Sequence, residues 1–234
     1  MRPLLTPKGF TPLFEDPHLI VLNKAAGLLS QGDHSGEASL VDLLREYFGR
    51  HYVGLVHRLD RNTSGVMVVA KRTKAAERLT AQLQDGRLVR RYLAWLEGQV
   101  GAVGTPLHWE NWLIKDPVKN ETRALAPSPQ KPHPEAKRAA LKLEVKEILG
   151  GLTGGLTLCE FALETGRSHQ IRAQAQAHGF PLVGDKKYGA QIDFSRPALH
   201  SSWIEFEHPI SHQTMRFECP LPPELSHSAM IPLR

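Results

Sequence analysis

The residues with most to offer chemically are His57-Arg58-Leu59-Asp60-Arg61-Asn62-Thr63-Ser64-Gly65. Two arginines and one carboxylate crowd around a single leucine, directly before the turn formers Thr63 to Gly65 and the apolar run Val66–Ala70. An acid so placed is held at the mouth of a sheet and not out on a solvated helix face. Among cations it serves better as an anion, a nucleophile or a stabiliser of positive charge, than as a proton donor. An aspartate that closes a turn by bonding nearby backbone would use the same spacing, and the local chemistry leaves both readings open.

Other catalytic patterns are missing from the sequence. Cys159 and Cys219 lie far apart, with no CxxC and no Cys/His spacing of the zinc kind, so neither a disulfide framework nor a metal site is indicated. They read as small buried hydrophobes. Ser64 and Ser168 sit near histidines but not in Gly-x-Ser-x-Gly. The glycines from Gly150 to Gly155 lack the spacing and the following helix of a phosphate loop, and read as a hairpin turn. His57, His169 and His200 read as hydrogen-bonded histidines near a cleft.

The elements that must hold the Asp60 segment are legible on both sides of it. Leu19–Asn23 reads as a buried strand and Gly27 to Gly36 as a loop. Ser39 can cap a helix running to Phe48, with Leu40, Leu43, Leu44 and Tyr47 on one face and Gly49 as the stop. A second helix follows Thr73, with Ala76, Leu79 and Leu83 facing inward and Gly86 beyond its end. Val66–Ala70 and Val89–Leu96 are strands, whereas Gly98 to Pro134, with six prolines from Pro106 onward, reads as loops around short strands. Leu141, Leu143 and Val145 alternate with charged residues and mark a half-buried strand. Leu156–Leu163 is its hairpin partner, Ser168 to His178 is helical, and Leu199–Phe206 pairs with Thr214–Glu218. Many strands and few helices predict one α+β domain over residues 1–234, its central mixed, largely antiparallel sheet flanked by a few helices and loops.

Composition sets the partner class. The chain holds 41% hydrophobic and 23% charged residues, enough for a packed core, and its longest apolar runs fall far short of the roughly 20 residues a membrane helix needs. Prolines interrupt the start where a signal peptide would need an apolar stretch, so a cytoplasmic location is expected. With 29 Lys and Arg against 24 Asp and Glu, the net charge is +5. The bases cluster at Lys71, Arg72 and Lys74, at Arg87, Arg90 and Arg91, at Lys137 and Arg138, and at Lys186 and Lys187, which makes a nucleic acid the leading partner.

His57 to Gly65 also closely resembles the signature of the RluA-type RNA pseudouridine synthases. Four more segments match that family in order. They are Asn23-Lys24-Ala25-Ala26-Gly27; Arg90-Arg91-Tyr92-Leu93-Ala94; Gly166 to Arg172 continued by Gly179 to Asp185 and Tyr188-Gly189; and Leu199-His200 with Phe206 to Pro209 and Pro220 to Pro222. The likeness runs from about Asp16 to Pro222. It implies an enzyme that isomerises uridine in ribosomal or transfer RNA, on a fold with a basic RNA-binding cleft.

Position by position, the resemblance makes Asp60 the catalytic aspartate, Tyr92 the active-site tyrosine implicated in proton removal, and Arg172 the basic residue paired with the aspartate. Arg58 matches the arginine that helps open the RNA, and Ile171 the apolar residue near the base. His57, Arg61, Thr63, Arg91 and His169 are expected beside the RNA. An isomerisation calls for no metal and no cofactor, and a monomer without protein partners is expected. Ala26 stands where the family usually has proline, Gln174 and Gln176 make the second half of the third motif unusually polar, and the small N-terminal RNA-binding domain of some relatives is expected to be absent. Two rivals remain on sequence grounds. One is a non-catalytic RNA-binding or RNA-folding protein on the same fold; the other is a nucleoside hydrolase, which needs a second carboxylate that is not adjacent to Asp60.

Overall fold

The structure, a computed structural model, describes residues 9–49, 51–125, 132–150 and 154–231. In chain order the first half contains β1 (Phe10–Glu15), β2 (Leu19–Lys24), α1 (Leu40–Phe48), β3 (Gly54–Leu55), β4 (Ser64–Ala70), α2 (Thr73–Gln84) and β5 (Val89–Glu97). The second half contains β6 (Pro106–Asp116), β7 (Glu121–Leu125), β8 (Lys137–Leu149), β9 (Leu156–Leu163), α3 (Gln170–Ala177), β10 (Leu199–Glu207) and β11 (Thr214–Glu218). Two compact units result, one from residues 1–90 and 200–220, the other from residues 91–199 and 221–234.

In the first unit β2 lies antiparallel between β1 and β4, and β4 meets β10 in parallel through His200↔Ser64 and Ser201↔Gly65. β11 then pairs antiparallel with β10, so this sheet is mixed. Every residue of β4 is buried, as its unbroken apolar run requires. α1 begins with the capping box that Ser39 foretells, its hydroxyl accepting from Asp42 N while the Asp42 carboxylate accepts from the Ser39 backbone. It ends at Gly49 in the left-handed region, φ 62°. α2 turns a slightly different face inward than expected, burying Ala75, Leu79 and Gln82. Gln82 is tolerated there because its amide exchanges two 2.8 Å hydrogen bonds with the backbone of Glu207.

The second unit is an antiparallel sheet in the order β5-β9-β8-β6-β7, with Trp95, Leu156, Val183 and Leu225 in its core. Here the sequence reading needs correction. Residues 106–125 are a long hairpin and not loops around short strands, with Trp109, Asn111 and Leu113 buried in alternation along β6. The prolines are punctuation: Pro106 opens the strand and Pro117 lies in the turn, where neither removes a ladder hydrogen bond. The β8–β9 hairpin forms as expected, closing at Leu149↔Leu156, while 151–153 in its turn lie outside the described residues, as do Pro127 and Pro129. Among the described residues no helix is long and apolar enough to cross a membrane.

Candidate active site

Asp60 sits on a turn that is tied down from every side. Ser30 brackets the preceding residue, its hydroxyl donating to Leu59 O at 2.6 Å and accepting from Leu59 N at 3.1 Å. Thr63 N donates to Asp60 O at 3.0 Å and closes the turn. The next carbonyl, of Arg61, accepts from Gly27 N at 2.9 Å and from the Lys24 ammonium at 3.1 Å. Lys24 is fully buried, and it also donates to Ala25 O and Leu28 O at 2.8 and 2.7 Å. One cation thereby joins the β2–α1 loop to the Asp60 turn. The carboxylate itself is partly exposed.

A glycine is required just beyond this turn. Gly65 has φ +115°, and a Cβ on it would lie 2.1 Å from Ser201 O and 2.6 Å from Ser201 N, where β10 runs alongside. The turn is therefore anchored to a strand that can approach β4 closely only because residue 65 has no side chain.

The flanking residues divide between solvent and support. Arg58 is exposed. Arg61 is exposed too, but its guanidinium bonds Gly27 O at 3.1 Å and pairs with Glu37, so it braces the loop. Thr63 is buried, and His57 is sealed behind the turn. Val68 N donates to His57 Nε2 at 3.3 Å, which leaves the ring proton on Nδ1. Burial, with the Arg90 guanidinium adding to it, pushes His57 down to about 3, so the ring is neutral at ordinary pH. Ser64 and His200 are hydrogen bonded at 2.8 Å, His200 Nε2 faces Cys219 O at 2.9 Å, and both side chains are buried. That pair ties β4 to β10.

In the second unit Tyr92 lies buried on β5 opposite Phe161, and the pleat sends its neighbour Arg91 to the surface, where it meets Glu160 at 3.1 Å. Ile171 and Arg172 stand on α3, the isoleucine buried. Arg172 is gripped edge-on by Asp185, Nε and Nη2 each 2.7 Å from a carboxylate oxygen, with the two side chains only 11% and 1% exposed. Its guanidinium lies over the Tyr188 ring, 4.7 Å from the centroid. His169, at the start of α3, bonds the Tyr188 hydroxyl at 2.9 Å through Nδ1.

Asp185 and Tyr188 are the residues that sequence reasoning quoted as motif letters without giving them work. A signal was present: an aspartate directly after the apolar Leu182-Val183-Gly184 is expected to be buried, and a buried carboxylate needs a cation. The polar stretch of α3 also finds its reason. Gln174 is fully buried, its amide nitrogen reaching Asn111 Oδ1 at 2.9 Å and Trp109 O at 3.2 Å, while Gln176 is exposed. Burial pushes Cys159 up to about 12 and Cys219 up to about 11, so both thiols stay protonated and unreactive. Among the described residues no group of three or more His, Cys, Asp or Glu could hold a metal ion.

A braced aspartate turn on a mixed sheet and an arginine of α3 locked to a buried aspartate are found in a chain whose residues 18–177 match the family described as RNA pseudouridylate synthase. The chain belongs to that family. Among particular proteins, it is 33% identical over 226 residues to the ribosomal large subunit pseudouridine synthase C of Pasteurella multocida, covering 91% of this chain and 65% of that one. It is 34% identical to the ribosomal large subunit pseudouridine synthase D of Nitrosomonas europaea, covering 92% of this chain and 62% of the relative, so it spans about two thirds of the length of these proteins. The fold is that of human RNA pseudouridylate synthase domain containing 4, with a TM-score of 0.72 at 20% identity over 95% of this chain and 93% of the human one.

Proposed function

We propose that this protein is an RNA pseudouridine synthase that isomerises uridine in ribosomal or transfer RNA, with Asp60 as the nucleophile. The observation that supports it most is the turn at Asp60, a partly exposed carboxylate whose neighbours Leu59, Arg61 and Thr63 are each fixed by hydrogen bonds, in a chain of this family. Relatives named for the large ribosomal subunit make ribosomal RNA the first substrate to try.

A uridine stacked in RNA does not present its glycosidic bond, so it must be everted at a cost of about a few kcal/mol. In this reading exposed Arg58 fills the space the base leaves, and Ile171 is the apolar wall beside it. Cleavage of C1′–N1 puts positive character on the ribose and negative charge on the uracil. The Asp60 carboxylate stabilises and captures the sugar, and Arg172, oriented by Asp185 and Tyr188, supplies positive charge to the reacting centre. The uracil turns, C5 bonds to C1′ as the C1′–O bond to Asp60 breaks and frees the carboxylate, the C5 proton leaves with the help of Tyr92, and N1 gains a proton. Bonds broken and formed balance without water or electron transfer. Arg91 and His169 belong to the RNA-facing set; His57, Arg61 and Thr63 act by holding the loop.

Forming the C1′–C5 bond expels the C5 hydrogen, which gives the test. RNA carrying tritium at C5 of uridine should lose label to water with the wild-type protein and not with Asp60→Ala, while Asp60→Ala still binds the RNA. Full release by Asp60→Ala would end the proposal, and free uracil among the products would replace it with the hydrolase.

A further inference from the structure

We propose that Tyr188 is a positioning residue, its ring fixing the plane of the Arg172 guanidinium while its hydroxyl fixes which nitrogen of His169 carries the proton. The catalytic part of this rests on the function proposed above; the proton placement does not.

The hydroxyl is the middle link of a chain of hydrogen bonds. Thr122 N–H, on β7, can only donate, and it reaches the Tyr188 oxygen at 2.9 Å. The phenol has one proton of its own, and His169 Nδ1 lies 2.9 Å away to take it. Nδ1 is then a bare acceptor and the ring proton lies on Nε2. The order Thr122 N–H to Tyr188 O–H to Nδ1 thereby makes His169 a hydrogen-bond donor at its outer nitrogen. The backbone bears the cost: His169 adopts φ 51° and ψ 26°, a left-handed conformation rare outside glycine. From the position before α3 its side chain makes no capping bond to the helix and goes to Tyr188 instead, with the two rings edge to face at 5.8 Å.

The face of the same ring supports Arg172, whose Nε edge Asp185 already holds. The ring is immobile because it is 4% exposed and packed with Leu113, Ala139 and Ala173. The turn that carries it is pinned by Lys187, which donates to Lys119 O and Asn120 O at 2.7 and 2.9 Å at the tip of the β6–β7 hairpin. One buried phenol thus couples the hairpin, the arginine and the histidine.

Tyr188→Phe separates its two duties, since the ring stays and the hydroxyl goes. Nitrogen-15 spectra of the histidine rings, with the His169 signals assigned by their loss in His169→Gln, should show Nδ1 bare and Nε2 protonated in the wild-type protein and a mixture of tautomers in Tyr188→Phe. Steady-state tritium release should show kcat reduced about tenfold in Tyr188→Phe with KM little changed, and a larger loss in Tyr188→Leu, which removes the support of Arg172 as well. A wild-type His169 protonated at Nδ1, or a Tyr188→Phe variant with the wild-type tautomer, overturns the inference whatever the enzyme's activity. An unaltered kcat in a Tyr188→Phe protein with scrambled tautomers overturns its catalytic half alone. Loss of the enzyme reading is recognised separately, by Asp60→Ala.

Discussion

Acid should weaken this protein through His57 before it protonates the carboxylates. The ring is buried behind the Asp60 turn and held neutral down to about pH 3, whereas an unfolded chain binds a proton at the ordinary value of 6.5. Between those values the unfolded state carries one more proton than the native state, so stability rises with pH across the window and is lost on the way down. One pH unit corresponds to about 1.4 kcal/mol at full slope, and the slope is half that at pH 6.5 where the unfolded ring is half protonated, so moving from pH 6.5 to 4.5 removes about 2 kcal/mol through this one group. The assay is urea unfolding at 25 °C, followed by tryptophan fluorescence at half-unit steps of pH. His57→Gln supplies the comparison, because its side-chain oxygen can still accept from Val68 N and the residue does not titrate. His178, whose burial also lowers it, contributes equally to both proteins and cancels in their difference. The variant should lose less stability than the wild type by about 2 kcal/mol over that interval. Parallel curves for the two proteins would refute the reasoning.

Two other changes probe the support of the same turn. Gly65→Ala forces a methyl group to 2.1 Å from Ser201 O at φ +115°, and should cost several kcal/mol and lower Tm by about 10 °C in calorimetry; a shift within a degree or two would mean that β10 yields where the packing says it cannot. Lys24→Met keeps the buried stem but withdraws the donor shared by Ala25 O, Leu28 O and Arg61 O. Hydrogen exchange should then quicken by about tenfold or more in residues 25–30 and 59–63 and stay as it was in β8 and β9, and uniform exchange across the chain would refute it.

How much of this was legible in the sequence depended on whether the signal was local. α1 could be bounded to the residue because Ser39 and Gly49 act within one turn of the helix ends, while β4 was placed by the apolar run Val66–Ala70 but begins two residues earlier, at Ser64, where Ser64 and Gly65 read as turn formers. β1 escaped notice because Pro12 interrupts its pattern; in the fold that proline lies at a register shift in a strand paired only to β2, where a missing N–H does no harm. The β6–β7 hairpin was hidden the same way, since prolines at its ends outweighed the alternation of Trp109, Asn111 and Leu113. Asp60, Tyr92 and Arg172 were singled out through a motif. What holds them was not, because Asp185 and Tyr188 reach Arg172 and His169 across 13 and 19 residues of chain, and Lys24 reaches Arg61 across 37.

The basic clusters need the same distinction between charge in a sequence and charge at a surface. Lys71 pairs with Glu15, Arg87 with Asp85, Arg138 with Glu110 and Lys186 with Asp193, while Arg90 is buried. Each exposed pair is worth little to stability, but it cancels a positive charge that composition alone would assign to an RNA phosphate. The cations tied most firmly, Lys24 by three carbonyls and Arg172 by Asp185, also have little exposed surface to offer a nucleic acid backbone. Long-range attraction of RNA therefore follows the net charge of +5 and not the count of 29 Lys and Arg, and the firmly held cations fix local geometry. In the proposed reaction, whose difficulty lies in stabilising charge on a sugar and a base only while they are apart, orientation in a site that need not reorganise would contribute more than bulk positive charge.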